Sequence, residues 1–380
     1  MVSQLKSIFN KPLTRFIRNA AGNFQNAKFY WKRYLVEMSL GRKERISYVP
    51  DEFNIGITFK CNFRCPACTF LLRDEKTFDN AKDMTLEQFN WILDKYQKEI
   101  RIVGLTGGEP TMHPQFSEIV QSVKNRGLKL VMPTNGTLIK QRIEALKKFD
   151  KINISLDGVD YESFRKIRGA TREQYNNIIE GIYLLRDAGI PFRISFLLFE
   201  ENLPEVKKIL EFAEKVKPER LQFESGNPHG SKEWTPLRAN APAVQNFLKE
   251  VLKRDDYPFS IRMPIIFDPD SDFFAKQACP QLWHYVVMGQ GGDVAFCCHL
   301  KDRPEIGNIF QGYDFNSSLM VNFRKNMIGG KYPVDCLYCK NRFFITQACD
   351  FEASKKRWEI TPAYKKILLK INLLPKGYKI

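Results

Sequence analysis

The chain predicts an α/β fold, a partial (β/α)6 barrel with a small C-terminal domain appended. Three observations lead there. From about residue 53, short strand-like runs alternate with amphipathic stretches of helical period about six times, which implies parallel strands joined by right-handed crossovers. Six units are fewer than the eight of a closed barrel. After residue 226 the texture changes: Asn227-Pro228-His229-Gly230-Ser231 and Thr235-Pro236 read as loop and boundary. A chain of 380 residues has room for one large domain and a smaller one.

Taken in order, the chain divides into four parts. Residues 1–50 form a basic N-terminal extension in which Leu5, Ile8, Phe9, Leu13, Phe16 and Ile17 recur at helical spacing, with Pro12 as an interruption. Residues 51–226 are the barrel. Its strand candidates are Phe53–Phe59, Ile102–Leu105, Leu128–Met132, Ile152–Leu156, Phe192–Leu198 and Leu221–Phe223. Helical stretches fall near 85–98, 115–126, 138–148, 171–188 and 203–216. Residues 227–350 hold a helical stretch, Val244–Leu252, and a second group of cysteines. Residues 351–380 form a basic helix with Tyr364, Ile367, Leu368, Ile371 and Leu374 on one face.

The net charge of +16 sits at the ends, with +8 in residues 1–50 and +6 in residues 351–380, so the body is close to neutral. That argues against a broad nucleic-acid groove across the body, where a basic stripe is expected. Basic helices with an apolar stripe suit either packing on the body or contact with an anionic membrane surface. No run approaches the ~18 apolar residues of a membrane span, and the first 30 residues lack the apolar core of a secretory signal. The expected location is the cytoplasm, with peripheral contact at the inner membrane face as the membrane reading. In that reducing compartment nine cysteines read as metal ligands rather than disulfides.

Cys61, Cys65 and Cys68 lie within eight residues, spaced x3 then x2, directly after the first strand. Iron–sulfur clusters take four cysteines. Three close thiols leave one iron of a cubane without a protein ligand, which is an open site for chemistry. After the second strand comes Gly107-Gly108-Glu109-Pro110. The glycines suit a backbone that must approach a ligand closely, and Glu109 supplies an acceptor.

This triplet, followed by that Gly-Gly-Glu-Pro segment, resembles the radical S-adenosylmethionine (SAM) superfamily, and residues 53–226 resemble its partial barrel. The resemblance implies a [4Fe–4S] cluster on Cys61, Cys65 and Cys68, with its free iron binding the amino and carboxylate groups of SAM. It implies reductive cleavage to a 5′-deoxyadenosyl radical that takes a hydrogen atom from the substrate. Gly107, Gly108 and Glu109 then meet the cofactor's amino group. Asn135 in Pro133–Thr137, and Ser155 and Asp157 in Ser155–Gly158, resemble segments that line the cofactor pocket. Plain turn chemistry is the alternative for the Asn-Gly and Asp-Gly pairs. Arg168 suits a bidentate pair with the cofactor carboxylate or a solvated helix charge. Leu197 falls where relatives hold adenine by backbone, and reads otherwise as core. His113 serves the turn after Pro110 or acts as a general base.

Cys279, twelve residues, Gly292, four residues and Cys297, then Cys336-x2-Cys339, resemble a SPASM domain in its shorter Twitch form. That implies one auxiliary [4Fe–4S] cluster held by Cys279, Cys297, Cys336 and Cys339. Ile345 breaks the longer pattern, and structural zinc is the alternative. Cys298 and Cys349 remain, as hydrogen donors to a substrate radical or as buried thiols. The expected function is oxidation of an unactivated C–H position in a small-molecule, sugar or lipid-linked substrate, with an external flavodoxin- or ferredoxin-type reductant. A peptide maturase and a non-enzymatic electron-transfer protein are the alternatives.

Overall fold

The computed structural model describes residues 39, 41–66, 68, 82–226, 235, 237, 241–252, 256–262, 264, 278–279, 281–297, 305–333, 336 and 358–359. The expected helical residues 5–17 and 364–374, and Cys298, Cys339 and Cys349, lie outside the described residues; Trp358–Glu359, within the expected C-terminal helix, pair as a strand instead.

Six strand–helix units form as the alternation predicts. The strands are β1 (Glu52–Thr58), β2 (Ile102–Gly107), β3 (Lys129–Thr134), β4 (Lys151–Ser155), β5 (Arg193–Leu198) and β6 (Arg220–Ser225), paired in parallel in that order. The helices are α1 (Leu86–Lys95), α2 (Phe116–Asn125), α3 (Ile139–Leu146), α4 (Tyr161–Arg168), α5 (Arg172–Asp187) and α6 (Val206–Val216), followed by α7 (Pro242–Leu252). Helix starts are written into the sequence. Thr85 with Gln88, and Thr171 with Gln174, form reciprocal capping boxes on α1 and α5. Asp160 caps α4, and its exit turns on Gly169 at φ +64°.

The sheet extends beyond these units without closing. β7 (Ser260–Arg262) lies parallel to β6, and a two-residue β11 (Trp358–Glu359) lies beyond it. At the other edge β8 (Tyr285–Met288) lies parallel to β1, reached through the short α8 (Gln281–His284). β9 (Asp293–Ala295) pairs antiparallel with β8, and β10 (Glu305–Asn308) antiparallel with β9. The order β10-β9-β8-β1-β2-β3-β4-β5-β6-β7-β11 is an open sheet, as a partial barrel requires. A further helix, α9 (Ser318–Ile328), sends buried Arg324 to the carbonyls of Leu282, Glu44 and Phe315, fastening this part of the chain to the entry of β1.

Strand residues alternate strictly between two environments. Ile152, Ile154, Ile194, Phe196, Leu221 and Phe223 share one core with helix residues such as Ile119, Ile178 and Ile209. The opposite face carries Asn54 on β1 and, brought side by side by the register, Asn153 and Ser155 on β4, Arg193 and Ser195 on β5, and Arg220, Gln222 and Glu224 on β6. Parallel strands are ordinarily apolar on both faces. A polar second face marks a surface shaped for something other than packing.

Candidate active site

The C-terminal ends of β1 to β5 converge on one mouth, where a barrel of this kind places its chemistry. The cysteine loop leaves β1 there. Thr58 ends the strand by donating to Asp83 (2.6 Å) and accepting the Lys60 N–H (3.0 Å), while Lys60 reaches Asp83 at 2.7 Å. Phe63 pins the loop: it is buried and its ring stands edge-on to Phe164. The Cys68 N–H closes a turn on the Cys65 carbonyl at 3.0 Å, and the Phe63 N–H points at the Cys61 sulfur at 3.4 Å.

Three later loops clamp this one. Asn62 donates to the Thr137 hydroxyl (2.8 Å), accepts from the Asn135 amide (2.7 Å), and gives its carbonyl to Gln174 (2.9 Å). Gly169 lies so close that a Cβ there would come within 2.9 Å of the Arg64 carbonyl. The sequence-predicted Asn135 is therefore a partner of the cysteine loop; its other oxygen contacts are the Thr137 N–H and hydroxyl of its own turn.

Gly107 and Gly108 make a close approach, and the partner is the chain's own backbone. A Cβ on Gly107, at φ +128°, would lie 1.9 Å from the Thr58 carbonyl, and one on Gly108 would lie 2.3 Å from that of Lys60. The freed space lets the N–H groups of Gly108 and Glu109 bond to those carbonyls at 2.8 Å each. Glu109 is buried, which pushes its pKa up, and four donors oppose the shift. They are the Thr111 N–H and hydroxyl, the Thr134 hydroxyl and the Asn135 N–H, at 2.6–3.2 Å. Three of these donors reach Oε1 and the Asn135 N–H reaches Oε2, so Glu109 ties β2 to β3. His113 is likewise engaged at both ring nitrogens, with the Met84 carbonyl at 2.9 Å and the Gln115 N–H at 3.1 Å, and serves the turn.

At the end of β4, Ser155 is partly exposed, and among the described residues its hydroxyl has no partner. Asp157 is buried between the Arg168 guanidinium and the Leu197 N–H, the latter at 2.6 Å. Burial raises its pKa and Arg168 works against that rise. Arg168 also places Nη1 4.0 Å from the Cys65 sulfur. Leu197 has its N–H committed to Asp157 and its carbonyl to Asn202, while its side chain is partly exposed on the polar face.

The thiols suit a metal cluster better than nucleophilic catalysis. A reactive cysteine needs a lowered pKa. Burial instead pushes Cys61 up to about 12 and raises Cys65 as well. Such thiols ionise when a metal binds them. Among the described residues no three His, Cys, Asp or Glu side chains form a single-ion site; a cluster engages each thiol through a different iron and does not require them to meet at one point. The donor set and its clamped loop fit an iron–sulfur cluster.

The second group sits elsewhere. Gly292, at φ +82°, makes the β8–β9 turn, where a Cβ would strike the Phe310 ring at 2.4 Å. Cys279 and Cys336 are buried and Cys297 partly so. Cys297 lies two residues beyond Ala295, the partner of Val287 on β8, and Cys279 precedes the same strand.

Sequence reasoning missed Asn62, Gln174, Thr134 and Thr137, whose partners are far away along the chain. It also missed the polar face, although the alternating runs Arg193–Leu198 and Arg220–Ser225 display it.

Comparison with known proteins bears on the barrel. The Radical SAM superfamily matches residues 55–213. A probable GTP 3′,8-cyclase of Saccharolobus islandicus (strain Y.N.15.51 / Yellowstone #2) is 32% identical over 186 residues, covering 47% of this chain and 58% of the relative. One from Sulfurisphaera tokodaii is 29% identical over 207 residues, covering 53% and 64%. The chain thus spans about three-fifths of these relatives' length. Among solved structures, Streptococcus suis SuiB bound to precursor peptide SuiA superposes with a TM-score of 0.57 at 16% identity, covering 85% of this chain and 73% of that one. Native anSMEcpe with bound AdoMet gives 0.55 at 18%, covering 84% and 96%. At such identities the likeness is one of fold. Over residues 55–213, this chain carries a radical SAM domain.

Proposed function

We propose that the protein is a radical SAM enzyme that abstracts a hydrogen atom from a polar small-molecule or sugar-like substrate held on the inner face of the half-barrel. The observation that carries this reading is the clamped loop of Cys61, Cys65 and Cys68 at the mouth of that face, with no further cysteine in the sequence until Cys279. When bound, the [4Fe–4S] cluster and SAM supply reductive cleavage to a 5′-deoxyadenosyl radical. The chain's own residues do the rest. The Asn62 clasp fixes the loop, Glu109 locks β2 to β3 beneath it, and Ser155 presents a hydroxyl beside it.

The polar face favours a hydrogen-bonding substrate moiety over an acyl chain. Asn54 and Asn153 each hold one amide atom inside the barrel without a partner among the described residues, and buried polar groups are ordinarily satisfied. The Gln222 amide donates to both Ser195 and Glu224, leaving its carbonyl for a ligand. A lipid-linked substrate would place its head group here and its tail elsewhere. Cys279, Cys297, Cys336 and Cys339 are proposed to hold an auxiliary [4Fe–4S] cluster, with an external one-electron reductant. No helix among the described residues is long and apolar enough to cross a membrane.

The test is anaerobic reconstitution of the full chain with iron and sulfide, followed by dithionite and SAM. The wild type is expected to release 5′-deoxyadenosine, and the Cys65→Ala variant none. Absence of product from a fully iron-loaded wild type would refute the reading.

A further inference from the structure

We propose that Arg168 and Asp157 form a strut acting on the cysteine loop itself. Arg168 holds its guanidinium against the Cys65 sulfur, Asp157 holds Arg168 in place, and the two set the reduction potential of the bound cluster with opposite signs. The inference rests on the functional reading above, since it concerns the cluster those thiols would hold.

The geometry is fixed at both ends. Arg168 is the last residue of α4, whose exit is set by Gly169 lying against the Arg64 carbonyl of the cysteine loop. From there Nη1 reaches the Cys65 sulfur at 4.0 Å, and Nε engages Asp157 Oδ2. The other Asp157 oxygen accepts the Leu197 N–H at 2.6 Å, which anchors the carboxylate to β5. The Asp157 side chain is fully buried. The guanidinium is therefore engaged through Nε and Nη1, two of the nitrogens that carry its five N–H donors.

The electrostatic consequence follows from charge. Reduction adds one negative charge to the cluster. A cation against one of its sulfur ligands favours that charge, and hydrogen bonds to ligand sulfur act the same way. The Asp157 carboxylate, on the far side of the cation, partly cancels the effect. In a low-dielectric site neither charge is screened as it would be in water. Removing the cation lowers the potential, whereas neutralising the carboxylate raises it.

The experiment uses the full chain, anaerobically reconstituted, as wild type, Arg168→Gln and Asp157→Asn. Iron per chain and circular dichroism check loading and folding. The cluster's midpoint potential is read by EPR-monitored titration without SAM, and SAM binding is measured separately by equilibrium dialysis. Arg168→Gln is expected to raise the oxidised-to-reduced ratio at the wild-type midpoint about tenfold, a shift of about 59 mV for one electron. Asp157→Asn is expected to shift it the other way. If Arg168→Gln does not fold, the sign of the Asp157→Asn shift decides alone. Unchanged potentials, or shifts of the same sign, with only SAM affinity reduced, would overturn the strut and leave both residues as cofactor contacts. A wild type that holds no cluster would instead bring down the functional reading beneath it.

Discussion

Asn62 commits its side-chain amide and its carbonyl to three residues of later loops, which makes it the junction through which β3 and α5 hold the cysteine loop. Asn62→Ala removes two side-chain bonds, each worth roughly 1 kcal/mol net. The global fold should persist by circular dichroism, while iron is lost to a chelator several-fold faster than from wild type. Equal rates would show that the clasp does not support the loop. A second residue-scale prediction concerns His284, buried beside β8, where burial depresses its pKa to about 3 from the ordinary 6.5. Between those values the unfolded chain binds a proton that the folded chain refuses. Stability therefore falls as pH drops through the window from about 6.5 to 3, by up to about 1.4 kcal/mol per unit. His284→Leu should flatten the pH dependence of the thermal midpoint from pH 7 to 5; an unchanged slope would contradict the assignment. At this scale the three cysteines were legible because their information is local. The clasp was not, because Gln174 lies 112 residues from Asn62 and nothing nearby marks it.

Turns and strands show how much a single backbone position carries. Gly107 and Gly127 both have positive φ, but only at Gly107 would a Cβ strike something, the Thr58 carbonyl at 1.9 Å; at Gly127 nothing lies within 4 Å. Gly127→Ala should cost the ~1–2 kcal/mol of a left-handed side chain. Gly107→Ala should cost well beyond that, and yield little folded protein. Similar denaturation midpoints for the two variants would refute the crowded junction between β1 and β2. Most element positions were readable: the six strand candidates fall on β1–β6, and the helical stretches on α1–α3 and α5–α7. α4 went unmarked because only Phe164 and Ile167 give it a buried face, in eight residues. The pairing of β8 with β1 joins segments more than 220 residues apart, and no local pattern announces it.

Across the whole molecule, an open sheet turns one apolar face to the helices and carries polar residues of β4, β5 and β6 on the other. Gln222→Leu should keep iron content and substrate-independent cleavage of SAM, yet reduce substrate-dependent turnover about tenfold or more, the effect of a lost buried hydrogen bond of 1–3 kcal/mol. Equal turnover would move the substrate elsewhere. Barrel architecture was foreseeable from alternation, and the site's location from the loop after the first strand. The polar lining needed the register, which sets residues of β4, β5 and β6 side by side. Everything rests on a cluster with three protein thiolates and one exchangeable iron. The most direct measurement is Mössbauer and EPR spectroscopy of the reduced cluster in a variant lacking Cys279, Cys297, Cys336 and Cys339, with and without SAM. The account predicts one spectroscopically distinct iron whose signal shifts on adding SAM; four equivalent irons that ignore SAM would contradict it.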